Sequence, residues 1–212
     1  MNKEDIDYSL YLVTDRRNKT TEEFLKIIEE SIQGGVTVVQ LREKDTPTKE
    51  FYQIAIKLKE ITQKYKIPLI INDRIDIALA IECEGVHLGQ DDMPVEIARK
   101  ILGKDKLIGV SAHNIEEAKK AVLDGADYIG SGAVFPTSTK NDASDVPIEK
   151  LKDITNSINI PTVAIGGIKS ENIKQLENTN ISGISVVSAI MESENPIKAS
   201  EKLKSIYNSI EL

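Results

Sequence analysis

Eight short apolar runs, separated by amphipathic stretches, constrain the fold of this chain more than any other feature. The runs are YSLYLV (8–13), VTVVQL (36–41), IPLIIN (67–72), GVHLG (85–89), KLIGVS (106–111), DYIGSG (127–132), IPTVAIGG (160–167) and GISVVS (183–188). Most are rich in Ile and Val and continuously apolar, which is typical of parallel strands covered on both faces. The stretches between them, such as TEEFLKIIEESIQ, have helical spacing with charged outer positions.

This alternation predicts an α/β fold, a single (β/α)8 TIM barrel over residues 1–212. Strands and helices alternate to the end of the chain, and no linker or low-complexity segment divides it. Eight strand–helix units are the number that closes a parallel barrel of this kind. A doubly wound open sheet is the alternative, but no loop after a strand contains the GxGxxG fingerprint of that fold.

The composition disfavours several classes of partner. The formal net charge of −7 argues against general nucleic-acid binding, which uses a basic face, although a local basic pocket remains compatible with it. No stretch approaches the ~18 apolar residues of a membrane span, and the first ten residues lack the apolar core of a signal peptide. The single Cys83 cannot form an internal disulfide and is interpreted as a packing residue. We expect a soluble cytoplasmic protein. The sequence does not decide whether it forms a homo-oligomer.

Polar residues follow seven of the eight predicted strands, at the end where each strand finishes. The segments are QLREK (40–44), NDR (72–74), GQDD (89–92), SAHN (111–114), GSGAVFPTSTKNDASDV (130–146), GGI (166–168) and VVSAI (186–190). In a (β/α)8 barrel the carboxyl ends of the strands form the reactive face. We therefore expect these segments to surround one site.

The segments after the last two strands are typical of a phosphate site. Gly166 and Gly167 let the backbone approach an anion closely, and Ser188 adds a hydroxyl next to a short helix start. The alternative is that the two glycines only form a tight turn.

Cations and carboxylates are expected together on the other side of the mouth. Arg42, Lys44 and Lys140 are the cations, and Asp73, Asp91 and Asp92 are the acids. A mere ion-pair network is one interpretation. The other is that Asp side chains after strands 3 and 4 hold Mg²⁺ while Lys and Arg neutralise the phosphates of a pyrophosphate. Two phosphate-binding regions would indicate two phosphorylated substrates.

The remaining candidates are weaker. His87 lies inside a strand and is interpreted as a packed, hydrogen-bonded residue, whereas His113 follows strand 5 and is a weaker candidate for substrate contact. Neither has further ligands at zinc-site spacing. The tyrosines are interpreted as packing residues.

Eight segments, taken in order, resemble the thiamine phosphate synthase family over nearly the whole chain. They are YLVTD, QLREK, NDR, GVHLGQDD, GVSAHN, GAVFPTSTK, AIGGI and VVSAI. Each is weak alone, but eight in order at predicted strand ends are specific. The resemblance implies a transferase of thiamine biosynthesis that requires Mg²⁺. Such an enzyme joins 4-amino-5-hydroxymethyl-2-methylpyrimidine pyrophosphate to a thiazole phosphate and releases pyrophosphate.

The resemblance also implies a role for individual residues. Asp73 and Asp92 would bind Mg²⁺, with Asp91 as a neighbouring acid. Arg42, Lys44 and Lys140 would be the catalytic cations. The residues implied to hold the pyrimidine pyrophosphate are Gln40, Leu41, Arg42, Glu43, Lys44, Asn72, Ser111 and Lys140. Those implied to hold the thiazole phosphate are Thr137, Ser138, Thr139, Gly167, Val187 and Ser188.

Two other functions fit parts of the same pattern. The related thiazole tautomerases share the barrel but need no pyrophosphate and Mg²⁺ apparatus, so the intact QLREK, NDR and GQDD segments favour the synthase. A non-catalytic sensor of a thiamine precursor would keep the phosphate loops and could lose the metal carboxylates. Both carboxylates are retained here.

Overall fold

The eight apolar runs form the eight parallel strands of a closed barrel. The protein is described here from a computed structural model, over residues 2–137 and 145–211. Each strand pairs with the next along the chain, and β8 pairs with β1 to close the sheet. The strands are β1 (Leu10–Val13), β2 (Val38–Leu41), β3 (Leu69–Asn72), β4 (Gly85–Leu88), β5 (Leu107–Ser111), β6 (Tyr128–Ser131), β7 (Thr162–Ile165) and β8 (Gly183–Val186). The predicted (β/α)8 barrel is confirmed.

Helices pack around the outside of this barrel. They are α1 (Thr21–Gln33), α2 (Thr48–Tyr65), α3 (Ile75–Ala80), α4 (Val95–Leu102), α5 (Ile115–Asp124), α6 (Ile148–Ser157), α7 (Ser188–Met191) and α8 (Pro196–Tyr207). Short 3₁₀ helices occur at Lys3–Asp5 and Ile173–Leu176. Within the described parts of the chain, no helix combines the length and the apolar character needed to cross a bilayer.

Helix α1 shows how the local sequence fixes these elements. The Thr20 side chain accepts a hydrogen bond from the Glu23 backbone N–H, and the Glu23 side chain accepts one from the Thr20 backbone N–H. This capping box satisfies donors that a helix start otherwise leaves free. Phe24, Ile28 and Ile32 follow at intervals of four residues and are buried against the barrel.

The connection between β7 and β8 departs from the regular alternation. It contains only the 3₁₀ helix Ile173–Leu176, where the pattern predicts an α-helix. Asn178 and Asn180 follow with positive φ angles of 58° and 54°. Asn tolerates this left-handed conformation better than most residues, so the polar, Asn-rich segment turns back before a longer helix can form.

The barrel has two apolar cores, one on each side of the sheet. The larger lies between the strands and the helices, and it includes the fully buried Cys83. The Cys83 thiol lies 3.3 Å from the carbonyl oxygen of Gly85, and burial raises the pKa of this thiol to about 11. The environment of Cys83 is therefore that of a packing residue. The smaller core fills the barrel interior and consists of Tyr8, Tyr11, Val13, Val38, Ile70, Leu107, Tyr128 and Val163.

Two glycines make room for the large side chains inside the barrel. A Cβ atom at Gly109 would lie 2.0 Å from Cζ of Tyr128, well inside van der Waals contact. A Cβ atom at Gly130 would lie 3.0 Å from Cε1 of His87, where a small shift relieves the contact. The Tyr128 ring can occupy the barrel axis only because β5 has no side chain at position 109.

These contacts predict a graded effect of two matched substitutions on stability. Gly109→Ala should lower the free energy of unfolding by about 3 kcal/mol, because the Tyr128 ring must move, and Gly130→Ala by about 1 kcal/mol. Thermal unfolding followed by circular dichroism measures both, at about 2–4 °C per kcal/mol. Equal melting temperatures for the two variants would contradict this packing.

Candidate active site

A cavity opens at the carboxyl ends of the strands, as the polar segments predict. Its volume is about 480 Å³, and residues from all eight strands or from the loops after them contribute to its wall. The sequence-predicted site residues that line it are Gln40, Arg42, Lys44, Asn72, Asp73, Asp92, Ser111, Thr137, Gly167, Val187 and Ser188. The remaining predicted residues Ser138, Thr139 and Lys140 lie outside the described residues.

The segment after β2 divides between the cavity and the outside of the barrel. Gln40, Arg42 and Lys44 line the cavity, whereas Leu41 and Glu43 do not. Leu41 is fully buried in the outer core. For Gln40 and Leu41 this division follows from the two-residue period of a strand, since successive side chains point to opposite faces. The structure therefore gives the side chains of Leu41 and Glu43 no place in the cavity wall.

Glu43 has a structural partner instead. Its carboxylate accepts hydrogen bonds from Arg16 Nε at 3.1 Å and from Thr46 Oγ1 at 2.6 Å. Its side chain is only 4% exposed. Arg16 also pairs with Glu50, at 2.8 Å. This ion-pair group links the loops after β1 and β2 and so supports the segment that presents Arg42 and Lys44.

The carboxyl groups of Asp73 and Asp92 lie next to each other, in hydrogen-bonding contact. Asp73 follows β3 with a φ of 61°, and its backbone N–H donates to the His87 carbonyl oxygen at 2.9 Å. Asp92 is fixed by the Gly89 backbone N–H, which donates to its Oδ2 at 2.6 Å. Adjacent β3 and β4 thus hold two acids within reach of one cation.

This arrangement changes the acidity of Asp73. Its pKa is raised to about 6, first by burial and then by the contact with Asp92, against the opposing effect of Lys44 and Arg42. An acid whose charged form is disfavoured by a second acid is a group that a cation would stabilise.

The two carboxylates of Asp73 and Asp92 fit Mg²⁺ as a ligand set. Among residues 2–137 and 145–211, no group of three or more His, Cys, Asp or Glu side chains could hold a metal ion. An ion on the Asp73–Asp92 pair would take its other ligands from water and substrate oxygens. Magnesium prefers this combination of few carboxylates, water and phosphate oxygens.

The opposite side of the cavity is built from backbone. Gly166 and Gly167 both have positive φ angles, of 99° and 63°, and a Cβ atom at Gly167 would lie 2.5 Å from the Pro136 carbonyl oxygen. The Phe135 backbone N–H donates to the Gly166 carbonyl oxygen at 3.1 Å. The glycines therefore form a tight turn that holds the loops after β6 and β7 together. Phosphate binding by this turn and by Ser188 remains a prediction.

Four hydrogen bonds connect the polar side chains on the cavity floor. Gln40 Nε2 donates to the Tyr11 hydroxyl at 2.8 Å, and the hydroxyls of Tyr11 and Tyr128 lie 2.7 Å apart. His87 Nδ1 lies 3.1 Å from the Tyr128 hydroxyl, and His87 Nε2 lies 3.1 Å from Ser111 Oγ. His87 is thus a packed, hydrogen-bonded residue, as interpreted from the sequence.

The role of the two tyrosines differs from the sequence interpretation. Tyr11 and Tyr128 do pack in the inner core, but their hydroxyls join Gln40 to His87 and both residues line the cavity. The available signal was their position: each lies in a strand, on the same face as a residue that lines the cavity.

Two other polar residues near the mouth have local partners. His113 lines the cavity, and its Nδ1 lies 3.0 Å from Glu117 Oε2. Arg74 does not line the cavity and pairs with Asp76 at 2.6 Å. It also donates to Thr48 Oγ1 at 3.1 Å. Arg74 therefore forms local contacts outside the cavity wall.

Comparison with known proteins gives one consistent result. The family model described as thiamine monophosphate synthase matches residues 10–190. The thiamine-phosphate synthase of Methanobrevibacter smithii is 61% identical over 199 residues, which cover 94% of this chain and 95% of that protein. The thiamine-phosphate synthase of Clostridium tetani is 55% identical over 208 residues, which cover 98% of this chain and 100% of that protein.

A solved structure agrees with this similarity. The thiamine phosphate pyrophosphorylase from Pyrococcus furiosus superposes with a TM-score of 0.88 at 41% sequence identity, and the match covers 96% of each chain. The similarity therefore extends over the whole barrel, including all the strand ends that line the cavity.

The acidic pair predicts a specific pH dependence of stability in the metal-free protein. The folded protein keeps the Asp73 proton up to about pH 6, whereas an unfolded chain loses it near 3.8. The folded state binds more protons between these values, so the free energy of unfolding falls as the pH rises through this window. Asp73→Asn should remove this fall and stabilise the protein at pH 8 by about 1 kcal/mol, a value reduced for solvent screening.

Thermal unfolding in a chelator at pH 5 and pH 8 measures the effect. Asp91→Asn is the matched control, because it removes one charge from an exposed position at the same cavity, next to Asp92 in the loop after β4. The assignment is wrong if both variants change the pH dependence equally.

Proposed function

The chain belongs to the thiamine monophosphate synthase family, and on this premise we propose that it is a thiamine phosphate synthase. It condenses 4-amino-5-hydroxymethyl-2-methylpyrimidine pyrophosphate with 4-methyl-5-(2-phosphoethyl)thiazole, either decarboxylated or as its carboxylate. The products are thiamine phosphate and pyrophosphate. The observation that carries the proposal is the layout of one cavity, with cations and paired acids after β2 to β4 and a glycine turn after β7.

The pyrophosphate is assigned to the side of the cavity formed after β2 to β4. Arg42 and Lys44 face it there, and Lys140 is proposed as a third cation. Arg offers a planar fork of donors and Lys a compact charge, and both stabilise an anion that gains charge as it leaves. Asp73 and Asp92 would hold Mg²⁺, which when bound neutralises pyrophosphate oxygens.

The thiazole phosphate is assigned to the side formed after β6, β7 and β8. Thr137 contributes a hydroxyl there, together with the Gly167 turn. Ser188 contributes a second hydroxyl, and the first backbone N–H groups of α7 have no partner within the helix. Val187 lines the wall beside them. Because the two phosphate regions lie on different strands of one cavity, the two reacting rings meet between them.

The reaction needs no nucleophile from the protein. The C–O bond to pyrophosphate breaks, the electron pair leaves with pyrophosphate, and the 4-amino group stabilises the pyrimidinylmethyl cation by resonance. The thiazole nitrogen then forms the new C–N bond. Cys83, the single thiol, is buried in the outer core and takes no part. Catalysis comes from placing the two substrates together and from stabilising the departing charge.

A direct assay separates this function from the two alternatives. The purified protein should form thiamine phosphate from both substrates with Mg²⁺, and an excess of chelator should stop the reaction. A thiazole tautomerase would isomerise a thiazole carboxylate phosphate without the pyrimidine substrate or Mg²⁺. A precursor sensor would bind one substrate and form no product. Either of these two results would overturn the proposal.

Removal of a site charge should lower the rate much more than the stability. We expect Asp92→Ala and Lys140→Ala each to reduce kcat/KM about 100-fold or more, since each removes a group that stabilises the leaving pyrophosphate. Steady-state kinetics and thermal unfolding should be measured together, with Asp91→Ala and Arg74→Ala as controls near the same mouth. Equal losses of rate and thermal stability would contradict the assignment.

The cellular location and the assembly state complete the proposal. We place the enzyme in the cytoplasm, in keeping with the absence of any described bilayer-spanning helix and with a cysteine that has no partner for a disulfide. Large apolar side chains are exposed on the neighbouring helices α3 to α5, and they include Leu79, Ile97, Ile101 and Leu123. Sedimentation equilibrium would show whether copies of the chain associate.

A further inference from the structure

The hydrogen bonds on the cavity floor form one continuous chain from Gln40 to Ser111. The order is Gln40, Tyr11, Tyr128, His87, Ser111, with separations of 2.8, 2.7, 3.1 and 3.1 Å. The three central side chains are at most 9% exposed. Both ends of the chain line the cavity. The three central residues also line the cavity, but their hydroxyls and ring nitrogens bond one another, so they affect the polar groups of a ligand through the two ends of the chain.

The orientation of the Gln40 amide, with Nε2 on the Tyr11 hydroxyl, sets the direction of the protons along this chain. Tyr11 accepts a hydrogen bond from Gln40, so the one proton of its own hydroxyl has to go to another acceptor. Within residues 2–137 and 145–211, the Tyr128 oxygen is the acceptor that lies in range. Tyr128 in turn has one proton, which then goes to His87 Nδ1.

The same reasoning assigns the proton positions on His87 and Ser111. If Nδ1 accepts, the neutral His87 ring holds its proton on Nε2, and Nε2 donates to Ser111 Oγ. The Ser111 hydroxyl then has its own proton to give to a ligand. With Gln40 Nε2 bonded to Tyr11, the opposite direction would leave the buried Tyr11 proton without an acceptor, which is costly. Burial raises the pKa of both tyrosines well above the ordinary value, so these hydroxyls keep their protons.

We propose that Tyr11, Tyr128 and His87 are positioning residues that make Ser111 a hydrogen-bond donor and the Gln40 amide oxygen an acceptor toward the substrate ring. This proposal rests on the proposed function, because that function supplies an aminopyrimidine. An exocyclic amine donates to Gln40 Oε1, and a ring nitrogen accepts from Ser111. The 4-oxo analogue of the pyrimidine presents an oxygen where the amine was, so it faces Gln40 Oε1 with a second acceptor.

The proposal predicts selectivity for the amino ring over the oxo ring. Opposed acceptors in a buried site are strongly unfavourable, so the protein should bind the 4-amino pyrimidine pyrophosphate about 100-fold more tightly than its 4-oxo analogue. Tyr128→Phe removes the acceptor of the Tyr11 proton. The acceptor that remains for the Tyr11 proton is Gln40 Oε1, and the Gln40 amide must rotate by about 180° to present it. That rotation presents an N–H group to the ligand and should reduce the selectivity to within about tenfold.

Isothermal titration calorimetry with each pyrimidine pyrophosphate and Mg²⁺, without the thiazole substrate, measures this ratio directly. Tyr8→Phe is the matched control: Tyr8 packs against Tyr128 in the same core, with ring centroids 5.0 Å apart, and its hydroxyl makes none of the four bonds. We expect Tyr8→Phe to keep the wild-type ratio. An unchanged ratio in Tyr128→Phe, or no selectivity in the wild type, would overturn the proposal. Selective binding without formation of thiamine phosphate would instead overturn the proposed function.

A second measurement tests the proton order without any ligand. Nitrogen-15 NMR of the histidine-labelled protein at neutral pH should show His87 protonated on Nε2 and unprotonated on Nδ1. The sequence contains two histidines, and His113→Gln identifies the His87 signals. A proton on Nδ1 would reverse the direction of the chain and overturn the proposal.

Discussion

The pairing of β8 with β1 is the interaction on which the rest of the molecule depends. Leu10, Tyr11 and Leu12 align with Ile184, Ser185 and Val186, and this alignment closes eight parallel strands into a ring. Because the strands are parallel, closure brings every carboxyl end to the same rim. The two-residue period then decides which side chains face the barrel axis. A site with contributions from eight separated segments is a direct result of these two facts.

The acids at this rim lie next to each other, with two cations nearby. Two adjacent carboxyl groups repel each other, and this repulsion adds to the effect of burial in raising the pKa of Asp73. Arg42 and Lys44 reduce it in part. A divalent cation together with a pyrophosphate would give every one of these groups an opposite charge. A cation on this pair would relieve the repulsion between Asp73 and Asp92, which is how a preorganised site differs from a surface ion-pair network.

The rim could be predicted from the sequence because two signals coincide at a strand end: an apolar run stops, and polar residues begin. The apolar runs stop at Val13, Leu41, Asn72 and Ser111, which are also the last residues of β1, β2, β3 and β5. Polar residues follow at once. Alternation along β2 would also have excluded the Leu41 side chain, which the family resemblance included.

The Tyr11–Tyr128 contact could not be predicted in the same way. It joins strands β1 and β6 across the barrel interior, and it requires Gly109 to leave the axis free. No local pattern encodes a distance between strands that are not neighbours. The 3₁₀ helix between β7 and β8, in place of an α-helix, was not predicted for a different reason. The asparagines of this segment stabilise turns, and the spacing of apolar residues contains no information about them.

The buried Cys83 thiol can report how often the barrel opens. Its sulfur is sealed between the sheet and the helical layer, and its raised pKa keeps it in the unreactive thiol form. An alkylating reagent can reach it only after helices separate from strands. The rate at which this one thiol is labelled therefore measures how often the barrel opens, and ligands that bridge several strands should slow that rate.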